Sequence, residues 1–240
     1  MNSSFSKQQI EAILREEPFE YHRVELPYGL FTPGVDRSAT RDEIFPASLT
    51  GKSVLDVGCA LGYFCFEAEI RGAARVVGIE PKDSRFRQSL RLKQIRGSGV
   101  EFRHTDLAGA GIDERFDYIL LLNVVHHLRD PLAVLSDLAA ITRERFVVEF
   151  PTLSDPKFKK ASGVRLGAVL NRLPLIGVSS LETADQTFVF SPRAIERILR
   201  EHVGRFARIE LKPSPMPGRA LAICDVRPPV ADGARSLSEP

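Results

Sequence analysis

An apolar run near the first quarter of the chain contains an acidic residue and is followed by two glycines. Such a group of residues can hold a nucleotide. Asp56 lies in the run Ser53 to Val57, which predicts a short buried strand, and Gly58 and Gly62 follow it. Glycine adopts positive φ and lets backbone N–H groups approach a ligand closely. The apolar segment from Leu61 to Ile70 predicts a helix. A strand, a glycine turn and a helix form the nucleotide-binding start of an α/β sheet.

The spacing of this turn distinguishes two kinds of nucleotide. A dinucleotide-binding turn places glycines at relative positions one, three and six, whereas this chain has Gly58, Ala60 and Tyr63 there. The stretch instead resembles motif I of class I S-adenosylmethionine (SAM) methyltransferases, in which an acidic residue and one further residue precede G-x-G-x-G. Ala60 replaces the middle glycine of that motif. The resemblance implies SAM as cofactor, with a plain strand-turn-helix as the alternative. The contacts expected from the loop are Asp56, Gly58, Cys59, Ala60, Gly62 and Tyr63.

Two further acidic positions follow predicted strands. The strand Ala74 to Ile79 ends at Glu80, which lies 22 residues after Gly58 and just before Pro81. A carboxylate there is placed to accept hydrogen bonds from both ribose hydroxyls; the alternative is a solvated loop glutamate. The strand Val100 to Arg103 precedes Asp106 and Leu107. The resemblance implies that these two residues lie near the adenine, while a helix cap at Asp106 is the alternative.

The central strand, Arg115 to Leu122, leads into residues that can contact the reacting groups. The segment from Phe116 to Pro131 resembles motif IV of the same superfamily, F-D-x-h followed by H-H-h-x-D-P. Asn123 is expected to contact the methionine part of SAM. His126 is the candidate general base and faces the acceptor, because an unperturbed histidine titrates near neutrality. His127 is expected to be packed and structural, with a substrate contact as the alternative.

Other residues are weaker candidates for the base, and no metal site is predicted. His126 and His127 are adjacent, and no carboxylate cluster lies beside them at ligand spacing. The weaker base candidates are His22, Tyr28, Glu149 and Asp185.

The N-terminal 50 residues are predicted to form a helix and an arm that cover the cleft. Ser6 to Glu17 has the apolar stripe of a helix, Tyr21 to Gly34 suggests a hairpin or extended arm, and Asp36 to Phe45 can form a second helix. The arm contains H-x-x-x-L-P-x-G-x-x-T-P-G and resembles the leader of tRNA wobble-uridine (U34) methyl- and carboxymethyltransferases. This resemblance makes His22 and Tyr28 substrate candidates, and a purely structural arm is the alternative.

Later segments complete the predicted domain, which spans residues 51–226. Helices are expected at Ser84 to Arg96, Pro131 to Ile141 and Ser191 to His202, and strands at Phe146 to Phe150, Arg205 to Leu211 and Arg219 to Val226. An insertion at about 152–187 is basic near Arg165, which is a candidate for an anionic substrate or an RNA backbone. A plain solvated helix is the alternative there. The tail, 227–240, is expected to be flexible.

Composition limits the class of protein. The 240 residues include 33 basic and 31 acidic side chains, a net charge of +2, so bulk charge does not predict a nucleic-acid partner. Three cysteines without CxxC spacing favour a reducing compartment. The sequence shows neither a signal-peptide core nor an apolar run long enough to span a bilayer. A cytoplasmic protein is therefore expected, and its oligomeric state stays open.

The resemblance covers roughly residues 20–150 and implies a fold and a function. The fold is α/β, a Rossmann-like seven-stranded methyltransferase sheet, mostly parallel with the last strand antiparallel, and with helices on both faces. The expected function is SAM-dependent methyl transfer to an oxygen or nitrogen of a small anionic molecule. A tRNA wobble-uridine (U34) enzyme and a non-catalytic SAM-binding protein are the alternatives. His126 stands where wobble-uridine carboxymethyltransferases have a tyrosine that holds carboxy-SAM, and Tyr63 disfavours a nicotinamide-dependent oxidoreductase.

Overall fold

The computed structural model describes residues 4–107, 109–156, 160, 167–178 and 188–226. A mixed sheet dominates this part of the chain. Its strands are β1 (Ser53–Val57), β2 (Arg75–Ile79), β3 (Glu101–Arg103), β4 (Phe116–Leu122), β5 (Thr142–Pro151), β8 (Phe206–Pro213) and β9 (Arg219–Val226), with β6 (Ile176–Val178) and β7 (Phe188–Phe190) forming a separate pair. The seven strands of the main sheet follow the order β3-β2-β1-β4-β5-β9-β8. Neighbours are parallel except at β9, which runs antiparallel to β5 and β8. The predicted fold class is confirmed.

The helices begin at the signals that the sequence carries. Ser6 caps the first helix and forms a capping box with Gln9. Asp130, which precedes Pro131, caps the helix that begins there and accepts a hydrogen bond from the Ala133 N–H. The helices are α1 (Lys7–Glu16), α2 (Ser38–Ile44), α3 (Tyr63–Ile70), α4 (Asp83–Arg96), α5 (Pro131–Ile141), α6 (Gly167–Leu170) and α7 (Pro192–Arg197), which continues as a π-helical segment, Ile198–Val203. Short 3₁₀ turns occur at Pro27–Gly29 and Val125–His127.

The strand order reverses between β1 and β4, which lie side by side. After β1 the chain builds β2 and β3 on one side, and then returns to place β4 on the other. Helices that flank this reversal leave a crevice outside the carboxyl ends of the two strands, where open α/β sheets bind ligands. Asp56 of β1 pairs in register with Leu120 of β4, two residues before that strand ends.

Apolar side chains cover both faces of the sheet. Successive strand residues point to opposite faces, so Val54 joins one core while Leu55 joins the other. The first core also contains residues of the N-terminal segment, namely Ile10, Phe19, Leu26 and Ile44. The second contains residues of α5 and of the last helical segment, namely Leu135, Leu138, Ile195 and Leu199. The N-terminal segment therefore packs on the face of the sheet that α3 covers.

Some local expectations change. The arm at residues 21–35 forms isolated bridges, His22 with Val35 and Glu25 with Phe31, around the 3₁₀ turn, and it is an extended arm rather than a regular hairpin. Strand β5 is longer than predicted, because Thr142 already pairs with Phe116 of β4 and Pro151 still pairs with Arg219 of β9. Arg165, Asp185 and the tail at 227–240 lie outside the described residues, so the expectations for them stay predictions. Among the described residues, no helix combines the length and apolar character needed to cross a membrane.

Ser191 supports the packing of α7 through three hydrogen bonds. Its buried Oγ accepts from the Ala194 and Leu175 N–H groups at 3.0 Å and donates to the Leu173 carbonyl at 2.5 Å. Ser191→Ala removes a helix cap and the side-chain link between α7 and the Leu173–Leu175 segment, so we expect the free energy of unfolding to fall by about 1–2 kcal/mol.

Urea unfolding monitored by circular dichroism measures this change. Ser6→Ala, which removes the exposed cap of α1, is the matched control and is expected to cost at most about 1 kcal/mol. Equal losses in the two variants would contradict the role assigned to Ser191.

Candidate functional site

The loop after β1 is held in left-handed backbone conformations. Gly58, Ala60 and Gly62 have φ of 73°, 50° and 81°. A Cβ on Gly58 would lie 2.5 Å from a methyl of Val124, and one on Gly62 would lie 2.5 Å from the Phe102 ring. Both glycines are therefore required by space as well as by φ. Ala60, at the replaced glycine of the motif, adopts the same left-handed region with its Cβ in place.

Glu80 joins this loop to the end of β2. Its buried carboxylate accepts hydrogen bonds from the Ala60 N–H and the Lys82 N–H, each at 2.9 Å. Each carboxylate oxygen has two lone pairs, so both can accept one further donor, as two neighbouring hydroxyls would provide. Glu80 is not the solvated glutamate of the alternative interpretation.

Asp56 is an acid placed in an apolar setting. Burial raises its pKa to about 7, and the nearby Glu80 charge adds to that effect. The Cys65 thiol, which donates to Asp56 at 3.5 Å, and the Arg37 charge both oppose the increase in pKa. Burial thus favours the protonated form of the carboxyl, and a ligand cation beside it would favour the ionised form.

The N-terminal segment completes a cleft at the ends of β1 and β4. Tyr21, His22 and Arg37 line it together with predicted residues of the sheet and with Phe64 and Leu122. Arg37 is buried, and its guanidinium carbon lies 5.2 Å from the centre of the Phe64 ring. Sequence reasoning missed Arg37, which is one of 33 basic side chains and belongs to no motif. The predicted residues that line the cleft are His22, Asp56, Gly58, Cys59 and Asn123.

His22 is a neutral imidazole in this cleft. Burial lowers its pKa to about 3, and the charges of Arg37 and Arg85 act in the same direction. Its Nδ1 atom and the Nε atom of Arg37 are both buried and have no hydrogen-bond partner among the described residues. Buried polar atoms normally have such partners. These two atoms leave hydrogen-bonding capacity in the cleft that a polar ligand could use.

The end of β4 is tied to β5 and β9 by side chains. Asn123 has φ of 60°, its side-chain amide donates to Glu149, and its amide oxygen accepts from Arg219. Glu149 is fully buried and also accepts from Arg37, at 2.6 Å, and from Ser214. A carboxylate that already accepts three hydrogen bonds is poorly suited to remove a proton, so the weaker base assignment for Glu149 is wrong.

The paired histidines have the opposite exposure to the one expected. His126 is buried in the 3₁₀ turn after β4, whereas His127 is exposed, with ring centres 4.0 Å apart. The packed role predicted for His127 is therefore wrong. It was inferred from the motif, but the tight turn that begins at Asn123 directs the first histidine inward.

Other predicted residues lie away from the cleft. Tyr28 is exposed and donates to the Phe5 carbonyl at 3.1 Å, while Tyr63 packs at 5.0 Å from the Phe64 ring. Asp106 is exposed and accepts from the Gly109 N–H at 2.7 Å, and so closes a turn rather than capping a helix; Leu107 beside it is half-buried. The carbonyl of Pro81 lies 3.1 Å from a ring nitrogen of His104.

Arg165 is outside the described residues. Within the described ranges, no group of three or more His, Cys, Asp or Glu side chains is arranged to hold a metal ion.

Comparison with known proteins identifies related chains. Residues 35–202 match a family model described as a methyltransferase domain. A tRNA U34 carboxymethyltransferase of Alteromonas mediterranea is 32% identical over 149 residues, which are 56% of this chain and 43% of that protein. A ubiquinone biosynthesis O-methyltransferase of Bradyrhizobium sp. is 31% identical over 106 residues, 44% of this chain and 42% of that protein. The chain thus matches less than half the length of either relative.

A solved structure shares the fold. The N-terminal domain of EvdMO1 with SAH bound has a TM-score of 0.66 at 16% identity, over 94% of this chain and 100% of that one.

The raised pKa of Asp56 predicts a pH-dependent stability difference. Because the pKa is about 7 in the fold and 3.8 ordinarily, ionisation of Asp56 lowers stability as pH rises between these values. Asp56→Asn removes that titration. We expect the melting temperature of the variant, relative to wild type, to increase from pH 5 to pH 8 in differential scanning fluorimetry. Asp225→Asn, which removes a carboxylate bound to Arg145, is the charge control; a pH-independent difference for Asp56→Asn contradicts the assignment.

Proposed function

We propose that this chain, which belongs to the methyltransferase-domain family, transfers a methyl group from SAM to an oxygen or nitrogen of a small anionic molecule. One observation carries the proposal. A buried acid, Asp56, and a buried cation, Arg37, line the same cleft beside the glycine loop. Together they complement a ligand that bears both an ammonium and a carboxylate, as the amino-acid end of SAM does.

Polar atoms without hydrogen-bond partners support a ligand whose ammonium lies beside Asp56 and whose carboxylate lies beside Arg37. Asp56 is suited to the ammonium, because its pKa of about 7 allows it to ionise when a cation arrives. Arg37 Nε and, in the Nδ1–H tautomer, His22 supply donors for the carboxylate. Gly58 of the loop also lines the cleft. The remaining residues proposed for this end are Cys59, Ala60 and Asn123.

The nucleoside end lies at the adjacent strand ends. Glu80 has an acceptor position left on each oxygen for the two ribose hydroxyls. Pro81 precedes α4, where Phe86 stacks on His104 with ring centres 4.9 Å apart. Asp106 and Leu107 follow β3 on the same edge of the sheet, and we assign them to the adenine side.

The chain contributes alignment and proton removal to the reaction. When bound, SAM would supply a methyl group activated by its sulfonium sulfur, and the bond from that sulfur to the methyl carbon would break on transfer, which leaves SAH. Holding the acceptor in line with that methyl can account for several kcal/mol of barrier reduction, on the order of 7–11 at most. His126 lies in the turn that follows Asn123 and is the proposed base, which takes the proton from the acceptor oxygen or nitrogen as the new bond to carbon forms.

A cation lies beside Asn123, which lines the cleft. Arg219 donates to the Asn123 amide oxygen, and none of the described carboxylates forms an ion pair with it. Glu149, the nearest acid of this network, is bound to Arg37. An acceptor that carries a carboxylate or phosphate would neutralise Arg219. This charge balance supports a small anionic acceptor.

A tRNA wobble-uridine (U34) substrate is the second candidate. It is favoured by the relatives named tRNA U34 carboxymethyltransferase, of which one is 32% identical to this chain over 149 residues. The net charge of +2 and the histidine at position 126 count against it. A SAM-binding protein without catalysis is the third candidate function. A measurement of methyl transfer distinguishes it from the first candidate, the small-molecule methyltransferase.

Binding measurements test the cofactor assignment. SAM and SAH are expected to raise the melting temperature of the wild-type protein and NAD is not, because a ligand that binds only the folded state stabilises it. Arg37→Met is expected to weaken SAH binding at least about tenfold in calorimetry, since charge-assisted hydrogen bonds to a carboxylate are lost.

Arg96→Met is the matched control, since Arg96 is also buried and lies 4.8 Å from the ring of another phenylalanine of α3, Phe66. It is expected to bind SAH as wild type does. Equal weakening in both variants would show that Arg37 acts only on the fold, and a wild-type protein that binds neither SAM nor SAH contradicts the proposed function.

Labelled transfer tests the acceptor and the base. With methyl-tritiated SAM and a cell extract, we expect label in low-mass anionic compounds and none in tRNA that bears U34. His126→Ala is expected to lower the rate of labelling by about 10²–10⁴ and to leave SAH affinity unchanged. Label in tRNA promotes the second candidate, and full activity of His126→Ala refutes the base role.

A further inference from the structure

One buried carboxylate connects three separate segments beside the cleft. Glu149, near the end of β5, accepts from Arg37 of the N-terminal segment, from Asn123 after β4 and from Ser214 in the turn between β8 and β9. Its side chain has no exposed area, and that of Arg37 is 5% exposed. Segments far apart in sequence therefore meet at a single charged group.

Stability by itself is a poor explanation for such a group. Burying an ion pair costs desolvation of both charges, and apolar residues of similar size are often as stable in its place. The partners of Glu149 point to another role, because Arg37 and Asn123 both line the cleft. The third partner, Ser214, also accepts from the Met216 N–H at 3.0 Å and so braces the turn.

The hydrogen bonds constrain how each partner faces the cleft. Glu149 binds Arg37 through Nη2, and the Nε atom of the same guanidinium has no partner among the described residues. Asn123 is held twice, by its side-chain amide and by its backbone N–H, which donates to the Glu149 carbonyl at 2.9 Å. The second contact keeps Asn123 at φ of 60°, the conformation that turns the chain toward His126.

We infer that Glu149 is a positioning residue for the transfer reaction, acting on the bound cofactor through Arg37 and Asn123. It orients the guanidinium toward the carboxylate of the ligand and holds the Asn123 turn in place. This inference rests on the proposed function and adds a residue that contacts neither cofactor nor acceptor. A merely structural Glu149 would affect stability and leave ligand affinity unchanged.

Glu149→Gln is the direct test. The amide keeps the shape of the side chain, but it offers one acceptor oxygen and an NH₂ group to three donors, and it removes the charge that holds Arg37. We expect the dissociation constant for SAH to rise at least about tenfold in calorimetry, with circular dichroism verifying the fold. An unchanged SAH affinity at a lowered melting temperature overturns the inference.

The chain offers a matched control on the same pair of strands. Arg145 of β5 binds Asp225 of β9 at 2.8 Å, at the opposite end of their pairing from Glu149 and Leu221. Asp225→Asn therefore breaks a cross-strand ion pair that lies away from the cleft and is more exposed than the Glu149–Arg37 pair. We expect it to lower the melting temperature and to change the SAH dissociation constant less than twofold; a loss of SAH affinity equal to that of Glu149→Gln overturns the inference.

A double-variant cycle tests the route through Arg37. If Glu149 acts through that guanidinium, Glu149→Gln weakens SAH binding less in an Arg37→Met background than in wild type. Equal weakening in both backgrounds overturns the inference.

If Glu149→Gln does not fold, a double variant with Arg37→Met and Glu149→Leu replaces both buried ions with apolar groups. We expect this double variant to fold. Wild-type SAH affinity in that double variant overturns the inference. If the wild-type protein does not bind SAH, the proposed function is wrong. If the wild-type protein binds SAH and the variants bind it equally well, only the role of Glu149 is wrong.

Discussion

Charge buried at the carboxyl ends of parallel strands is the constraint on which the rest of this structure depends. Asp56, Glu80 and Glu149 follow or end three strands of one sheet, and each is almost fully shielded from water. A buried carboxylate is costly unless it is protonated, hydrogen-bonded or paired. The fold uses all three solutions. Burial favours the protonated form of Asp56, backbone amides hold Glu80, and Arg37 with two neutral donors holds Glu149. The three acids therefore differ in charge and in the hydrogen bonds that they can still accept, which suits them to different roles around one ligand.

The N-terminal segment converts an open crevice into a cleft with a defined charge. Its apolar residues, such as Phe19 and Leu26, are part of the core on one face of the sheet, so the segment is fixed to the domain by burial. That packing brings His22 and Arg37 over the ends of β1 and β4. Of the described residues that would still line the cleft without this segment, Asp56 is the one that can carry a charge, and it is acidic. The arm therefore makes the site complementary to a ligand that carries charges of both signs.

The comparisons separate fold from chemistry. A solved domain with 16% identity superimposes over 94% of this chain, because a doubly covered sheet requires only apolar strands and helices in the right order. The curated relatives act on different classes of molecule, to judge by a tRNA U34 carboxymethyltransferase and a ubiquinone biosynthesis O-methyltransferase. Function in such a fold resides in the side chains at the strand ends, and here these are the Arg37, Asn123, Glu149 and Arg219 network and the histidine that follows β4.

The sequence by itself determined the sheet, its helices and the acidic positions beside the loop. Apolar strands, the Ser6 and Ser191 caps and the spacing from Gly58 to Glu80 are local signals, and local backbone physics acts on them directly. Only the tertiary structure decided which polar groups meet. Arg37 and Glu149 are separated by 112 positions, and no periodicity relates them. The exposure of His127 and the burial of His126 likewise depend on a left-handed turn at Asn123, which the contacts with Glu149 stabilise. Pairing of distant charges follows from how the segments pack, and packing is a property of the whole fold rather than of any stretch of the chain.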